Sequence, residues 1–240
     1  MWFWCTLARD LTEPQMVDEP VGVEKPERGA GTGGVRRLLV SSPKGGTAKT
    51  TASRNITALA AQDGLHVAAV DFDPQQSLGH WWSRRPKAAA PMTYFEASAG
   101  MAADICEIDG HDLVIIDTPP GVEFQPAAIR ALVKAAHFVL VPTNQYSPDL
   151  ASVEEWMRFL KEEGAQAAYL LGNTHRRTKS FEDAKRRLVK SGRLCPIDVP
   201  HYEDIPATNE LGIGIAEVRG GKGADDYRGV WDFLRGELGL

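Results

Sequence analysis

A short apolar run, Leu38-Leu-Val40, gives way to Ser-Ser-Pro-Lys-Gly-Gly-Thr-Ala-Lys-Thr50 and then to a segment rich in alanine. A strand that opens into a glycine-bearing loop and resumes as a helix constrains the chain strongly. Gly45 and Gly46 let consecutive main-chain N–H groups curl around an anion, and the helix aims its unpaired N–H groups at the same point. Lys49 is placed to hold the β and γ phosphates of a nucleotide, and Thr50 to ligate Mg²⁺. The candidate nucleotide-binding residues are therefore Gly45, Gly46, Thr47, Ala48, Lys49, Thr50 and Thr51. The loop alone also reads as an ordinary glycine turn ahead of a helix, so other segments must decide.

Two acidic strand ends do so. Val70-Asp-Phe-Asp-Pro-Gln-Gln-Ser77 closes an apolar run with Asp71 and Asp73 on alternating positions, which predicts that both point to one side of the strand end. Leu113-Val-Ile-Ile-Asp-Thr-Pro-Pro-Gly121 ends a second apolar run on Asp117, the form of a metal-supporting acid. An aspartate closing a strand is commonly a turn or cap residue. Three such elements in this order are much harder to dismiss.

From Arg36 onward, short apolar runs alternate with helical segments, which predicts an α/β doubly wound, mostly parallel sheet with helices on both faces. The strand candidates are Arg37 to Val40, His66 to Val70, Thr93 to Glu96, Leu113 to Ile116, Phe138 to Val141 and Ala168 to Leu171. Residues 36–240 are read as one domain. Residues 1–35, with Pro14, Pro20, Pro26 and the glycines around GAGTGG, read as a flexible leader with no assigned role. Its MWFWCTLA start lacks a basic n-region and is followed by Arg9 and Asp10, so no export signal is expected. Cys5, Cys106 and Cys195 are too scattered for a zinc site or a disulfide framework, which suggests a reducing cytoplasm.

The segment Lys44 to Thr51 resembles the deviant Walker A motif of ParA/MinD ATPases. VDFDPQQS resembles their Walker A′ element, and DTPPG is similar to their Walker B and switch region. The resemblance extends more weakly over nearly all of residues 36–240. It implies ATP and Mg²⁺ as cofactors, and a homodimer when ATP is bound, in which Lys44 reaches the partner's phosphates. It implies that Lys44, Lys49 and Asp73 carry hydrolysis, with Asp73 orienting water, and that Thr50, Asp71 and Asp117 hold the metal. It also makes Asn173, in Leu171-Gly-Asn-Thr-His-Arg-Arg177, a candidate adenine contact. Pro142 to Leu150 is similar to the family's loop before a helix at the dimer face, and reads equally as an ordinary βα loop with a Ser-Pro helix start. Ala48 departs from the pattern, where glycine is usual. A Cβ there would crowd the loop or oppose a positive φ, so altered nucleotide affinity or rate is expected.

The net charge of −5 excludes a wholly basic surface, so any nucleic-acid contact must be local. The clearest basic stretch holds Arg176, Arg177, Lys179, Lys185, Arg186, Arg187, Lys190 and Arg193, several on one helix from about Phe181 to Lys190. It reads either as a solvated helix face or as a grip on duplex DNA without sequence preference. The resemblance favours DNA, a nucleoid-associated location and a ParB-type or other cargo adaptor. A MinD-like membrane helix is the competing use of Val230, Phe233, Leu234 and Leu238, but Asp225, Asp226, Asp232 and Glu237 favour core packing. Trp81 and Trp82 are read as packing residues. No run is long and apolar enough to suggest a membrane span. A small-molecule ligase of the dethiobiotin-synthetase type is the runner-up and would need a dedicated substrate pocket. An iron–sulfur carrier would need paired cysteines that are absent. No N-terminal helix-turn-helix is recognisable, so operator autorepression is not expected.

Overall fold

In the computed structural model, which describes residues 34–121 and 125–240, alternation of side chains along the strands sorts the apolar residues into two cores. Leu39, Val114, Ile116, Val139 and Val141 enter one cluster, while Leu38, Val40, Leu113, Ile115, Phe138 and Leu140 enter the other. Successive residues of a strand face opposite sides, so a continuous apolar run can be stable only with both faces covered. Each fully buried Val, Leu or Ile contributes about 1.5–3 kcal/mol, which makes the two-faced burial the main source of stability.

The strands are β1 (Arg36–Val40), β2 (Val67–Asp71), β3 (Thr93–Glu96), β4 (Leu113–Asp117), β5 (Phe138–Thr143), β6 (Ala167–Thr174) and β7 (Val199–Pro200). They form a seven-stranded sheet in the order β3-β2-β4-β1-β5-β6-β7. Every neighbouring pair is parallel. The helices are α1 (Lys49–Gln62), α2 (Ser77–Ser83), α3 (Ala102–Cys106), α4 (Pro126–Ala135), α5 (Ser147–Glu162), α6 (Lys179–Ser191), α7 (Asp204–Ala207) and α8 (Ala224–Leu238). Residues of α3, α4, α5 and α6 cover the first core; residues of α1, α7 and α8 cover the second. The doubly wound fold expected from the sequence is the fold found.

The leader expected over 1–35 lies almost wholly outside the described residues; Val35, at its end, already packs against the first core. β7 was not expected. It is two residues long, ends on Pro200 and pairs with β6 alone, the edge position that proline tolerates. No periodicity can mark so short a strand. Trp81 is fully buried and donates its indole N–H to Ile213 O at 3.1 Å, while Trp82 stacks on Tyr94 with ring centroids 5.1 Å apart. Both are packing residues, as read from the sequence.

The apolar stripe of α8 is spent on the core. Val230, Leu234 and Leu238 are buried, and Phe233 meets Phe138 edge-on at 6.0 Å. Asp63, at the C-terminal end of α1, accepts from Trp231 Nε1 at 2.8 Å and pairs with Arg228 and Arg235, tying α8 down. Burial alone would raise the Asp63 carboxyl. The hydrogen bonds from Trp231 and Arg228 and the charges of Arg228 and Arg235 outweigh burial and lower it. Among the described residues, no helix is long and apolar enough to cross a membrane.

Candidate functional site

β1, β2 and β4 lie side by side and end together, so their loops meet at one carboxyl edge, where ligands bind in open parallel sheets. Asp71 and Asp117 are direct register partners on β2 and β4, which brings the two predicted acids next to each other. The loop after β1 curls over the same edge before α1 begins at Lys49. Gly121 N donates to Pro43 O at 3.1 Å, which fastens the loop after β4 to the loop after β1.

Gly46 has φ +71° and Ala48 φ +66°, ψ +29°. Glycine adopts the left-handed region freely, whereas a side chain pays about 1–2 kcal/mol there. Ala48 is thus held in the conformation that the sequence reading feared, and its methyl lies 4.0 Å from where a Cβ on Gly172 of β6 would be. Among the described residues, the N–H groups of Gly45, Gly46 and Ala48 have no hydrogen-bond acceptor. A cradle of such donors ahead of a helix N-terminus fits a phosphate chain. Lys49 is buried and its Nζ donates to Lys44 O at 2.8 Å, which folds it back over the loop. Thr47 is buried too, with Oγ1 donating to the same carbonyl at 3.3 Å. The Lys44 side chain is exposed.

Asp117 is fully buried. It accepts from Thr50 Oγ1 at 2.6 Å and from Ser53 Oγ at 2.8 Å. Burial pushes its carboxyl up to about 7, and Asp71 adds to the rise; the two hydroxyls and Lys49 oppose it. A carboxylate so poor in compensating charge, beside a threonine hydroxyl, is a hard-oxygen donor set that suits Mg²⁺ shared with phosphates. Ser53 was not nominated from the sequence; its position one turn after Thr50 on α1 was the available signal.

Asp71 does a second job. Its Oδ2 accepts from Leu78 N and Gly79 N, both at 3.0 Å, and its Oδ1 from Asp73 N at 3.1 Å. Asp71 therefore anchors the start of α2. Burial raises its carboxyl against those three backbone donors. Asp73 does not share a strand face with Asp71 as the alternation predicted, because β2 ends at Asp71 and Asp73 already lies in the following turn. There it is half-buried and accepts from Gln75 N at 2.9 Å.

Asn173 is exposed at the end of β6 with φ +53°, at an irregularity in the β6–β7 pairing. Its Oδ1 accepts from His201 Nδ1 at 2.6 Å. It follows Gly172, the residue facing Ala48, so it stands beside the phosphate cradle. Gln145, also missed from sequence, is buried after β5. Its Nε2 donates to Thr178 Oγ1 at 2.8 Å and Ser180 Oγ at 2.7 Å, and its Oε1 accepts from His175 N at 2.6 Å, which joins the β5 edge to the start of α6.

The basic stretch is not the single stripe expected. α6 begins at Lys179, two residues before the predicted start. Arg176 is committed to Asp198 at 2.8 Å and Asp226 at 3.0 Å. Lys185 lies over the Phe181 ring at 5.1 Å, and Arg193 pairs with Glu237. Arg187 makes two bonds to Glu154 of α5 at 2.6 and 2.7 Å, and Arg186 pairs with Asp183. Arg177, Lys179 and Lys190 are exposed.

A parallel sheet whose first strand runs through a glycine loop into a helix, with buried acids on the two adjacent strand ends, defines a P-loop nucleotide-binding α/β protein. The chain belongs to the CobQ/CobB/MinD/ParA nucleotide-binding domain family, whose model matches residues 38–193. It is similar to the maintenance of carboxysome distribution protein A of Gloeobacter kilaueensis, with 38% identity over 122 residues, which cover 50% of this chain and 54% of that protein. The chain spans about half the length of the curated relatives it matches first. The fold is that of the Pyrococcus horikoshii septum site-determining protein MinD complexed with Mg-ADP, with a TM-score of 0.69 and 18% identity over 83% of this chain and 96% of that one. A Cyanothece McdA variant in complex with ATP matches with a TM-score of 0.65 and 17% identity over 86% of this chain and 97% of that one.

Proposed function

We propose that the chain is an ATP-dependent dimerising switch that hydrolyses ATP with Mg²⁺. In its ATP-bound dimer it holds duplex DNA without sequence preference, and it positions a cargo, whether a plasmid, a chromosome or a protein cluster, through a ParB-type or other adaptor at the nucleoid in the cytoplasm. The observation that carries this reading is the contrast between two lysines of one loop. Lys49 is buried and folded over its own loop, while Lys44 is exposed and its side chain makes no hydrogen bond or ion pair among the described residues. A cation displayed from the phosphate cradle but unused there is suited to the phosphates of a second copy.

In this mechanism the N–H groups of residues 45–48 and the Lys49 ammonium bind the phosphates, and the partner's Lys44 adds charge where it develops during in-line attack. Mg²⁺, when bound, neutralises the β and γ phosphates next to Thr50, Asp71 and Asp117. Asp73 orients the attacking water, and its half-buried position beyond β2 leaves it able to do so. Asn173 contacts the adenine. A cavity of about 360 Å³ lined by Pro43, Lys44, Pro126 and Trp156 adjoins the cradle, and dimerisation with ATP, rather than turnover of a small molecule, separates the switch from the runner-up ligase; the α8 stripe that a membrane anchor would use is buried.

The reading is tested by recording the mass of the purified protein and its retention on a random-sequence duplex at low salt, with ADP or a nonhydrolysable ATP analogue. The analogue alone should give a dimer that holds DNA. A monomer that ignores DNA with both nucleotides overturns it.

A further inference from the structure

α5 and α6 both run back from the carboxyl edge and pack side by side, leaving between them an open cleft of about 620 Å³. The α5 wall is Glu154, Arg158 and Lys161, spaced i, i+4, i+7, so all three share one helix face. The α6 wall repeats the spacing with Asp183, Arg186, Arg187 and Lys190. Five cations thus face two acids. Both acids are taken, Glu154 by Arg187 and Asp183 by Arg186. Lys161 Nζ donates to Ser191 O at 2.5 Å, an interaction that leaves its charge uncompensated. Arg158 and Lys190 are exposed and make no hydrogen bond or ion pair among the described residues. The excess positive charge of the cleft is therefore held by Arg158, Lys161 and Lys190, two of which come from α5.

We propose that this two-walled cleft, rather than an α6 stripe, grips the sugar–phosphate backbone of duplex DNA, that Arg158 and Lys161 form its second wall, and that Glu154 restrains Arg187 from joining them. The inference rests on the DNA-binding reading above and names where and how that binding occurs. Seven residues of α5 advance about 10 Å at ~1.5 Å per residue, which matches the axial rise of roughly three base pairs of duplex at ~3.4 Å each. Arg and Lys supply the cleft's free charge, and backbone phosphates are the contacts that such cations make without sequence preference.

The test uses the full chain with the ATP analogue and a random-sequence duplex, titrated at several salt concentrations. Arg158→Glu with Lys161→Glu should weaken binding at least about tenfold and lower the slope of log affinity against log salt by about two. Glu154→Gln frees Arg187 and removes a negative charge, so it should tighten binding about threefold. Analogue binding by each variant reports that the domain is folded, since none of these side chains touches the phosphate cradle. If the wild-type protein holds the duplex and the α5 double variant holds it equally well, the cleft is overturned while DNA binding stands. If Glu154→Gln binds no tighter, the restraint is overturned. If the wild-type protein fails to hold DNA but binds anionic lipid vesicles, both the cleft's assignment and the DNA reading fall.

Discussion

The phosphate edge and the α5–α6 cleft both concentrate charge, yet they treat it in opposite ways. At the edge, Asp117 is fully buried with two hydroxyl donors and a carboxyl raised to about 7, a site left short of positive charge. In the cleft, cations outnumber acids, all are open to water to some degree, and the acids are already paired. Burial makes charge expensive, so the edge is completed by a specific ligand held in one geometry. Exposure makes charge cheap, so the cleft can tolerate an unbalanced excess and accept any polyanion of suitable spacing. In the proposed reading the first region recognises a nucleotide and the second grips DNA.

The largest expected effect lies at the edge. Asp73→Ala should lower ATP turnover by at least about a hundredfold, in line with the worth of a positioned general base, while analogue binding persists. Phosphate release measured on the purified variant checks this, and normal turnover would remove Asp73 from the mechanism.

Next comes stability, where the two regions should separate. Asp117→Ala leaves the Thr50 and Ser53 hydroxyls without their acceptor and should cost about 2–3 kcal/mol in urea unfolding. Arg187→Ala breaks an ion pair at the surface and should cost less than about 1 kcal/mol. Equal costs in the two variants would erase the contrast drawn between them.

The smallest effect should come from Ala48→Gly. Relief of about 1–2 kcal/mol of left-handed strain is offset by the roughly 0.5–1 kcal/mol entropic cost of glycine. A rise in unfolding free energy of between about 0 and 1.5 kcal/mol, centred below about 1, is expected, with nucleotide affinity by calorimetry equal or higher. Weaker affinity would mean that the Ala48 methyl, lying against β6, helps to hold the loop in shape.

Much of the edge was legible in the chain itself. Gly45 to Thr51 and the Asp71 and Asp117 strand ends are local patterns, and an apolar run that ends in an acid carries its register with it. The α/β order and the core role of α8 were readable for the same reason, since periodicity reports which face of an element is apolar. The partners were not legible. Ser53 joins Asp117 only because α1 folds over β4, and Asp73 leaves the strand because pairing with β4 stops at Asp71. The eight cations of residues 176–193 looked like one patch in sequence, yet Asp198, Asp226, Glu154 and Glu237, brought in from other elements, pair with three of them, Arg176, Arg187 and Arg193. Arg158 and Lys161 joined the remainder from another helix. Local sequence determines which elements form and which residue types stand at their ends, because those follow from backbone geometry and spacing. Which charges stay free is decided only when distant elements meet, because an ion pair depends on a distance of a few ångströms that no linear spacing encodes.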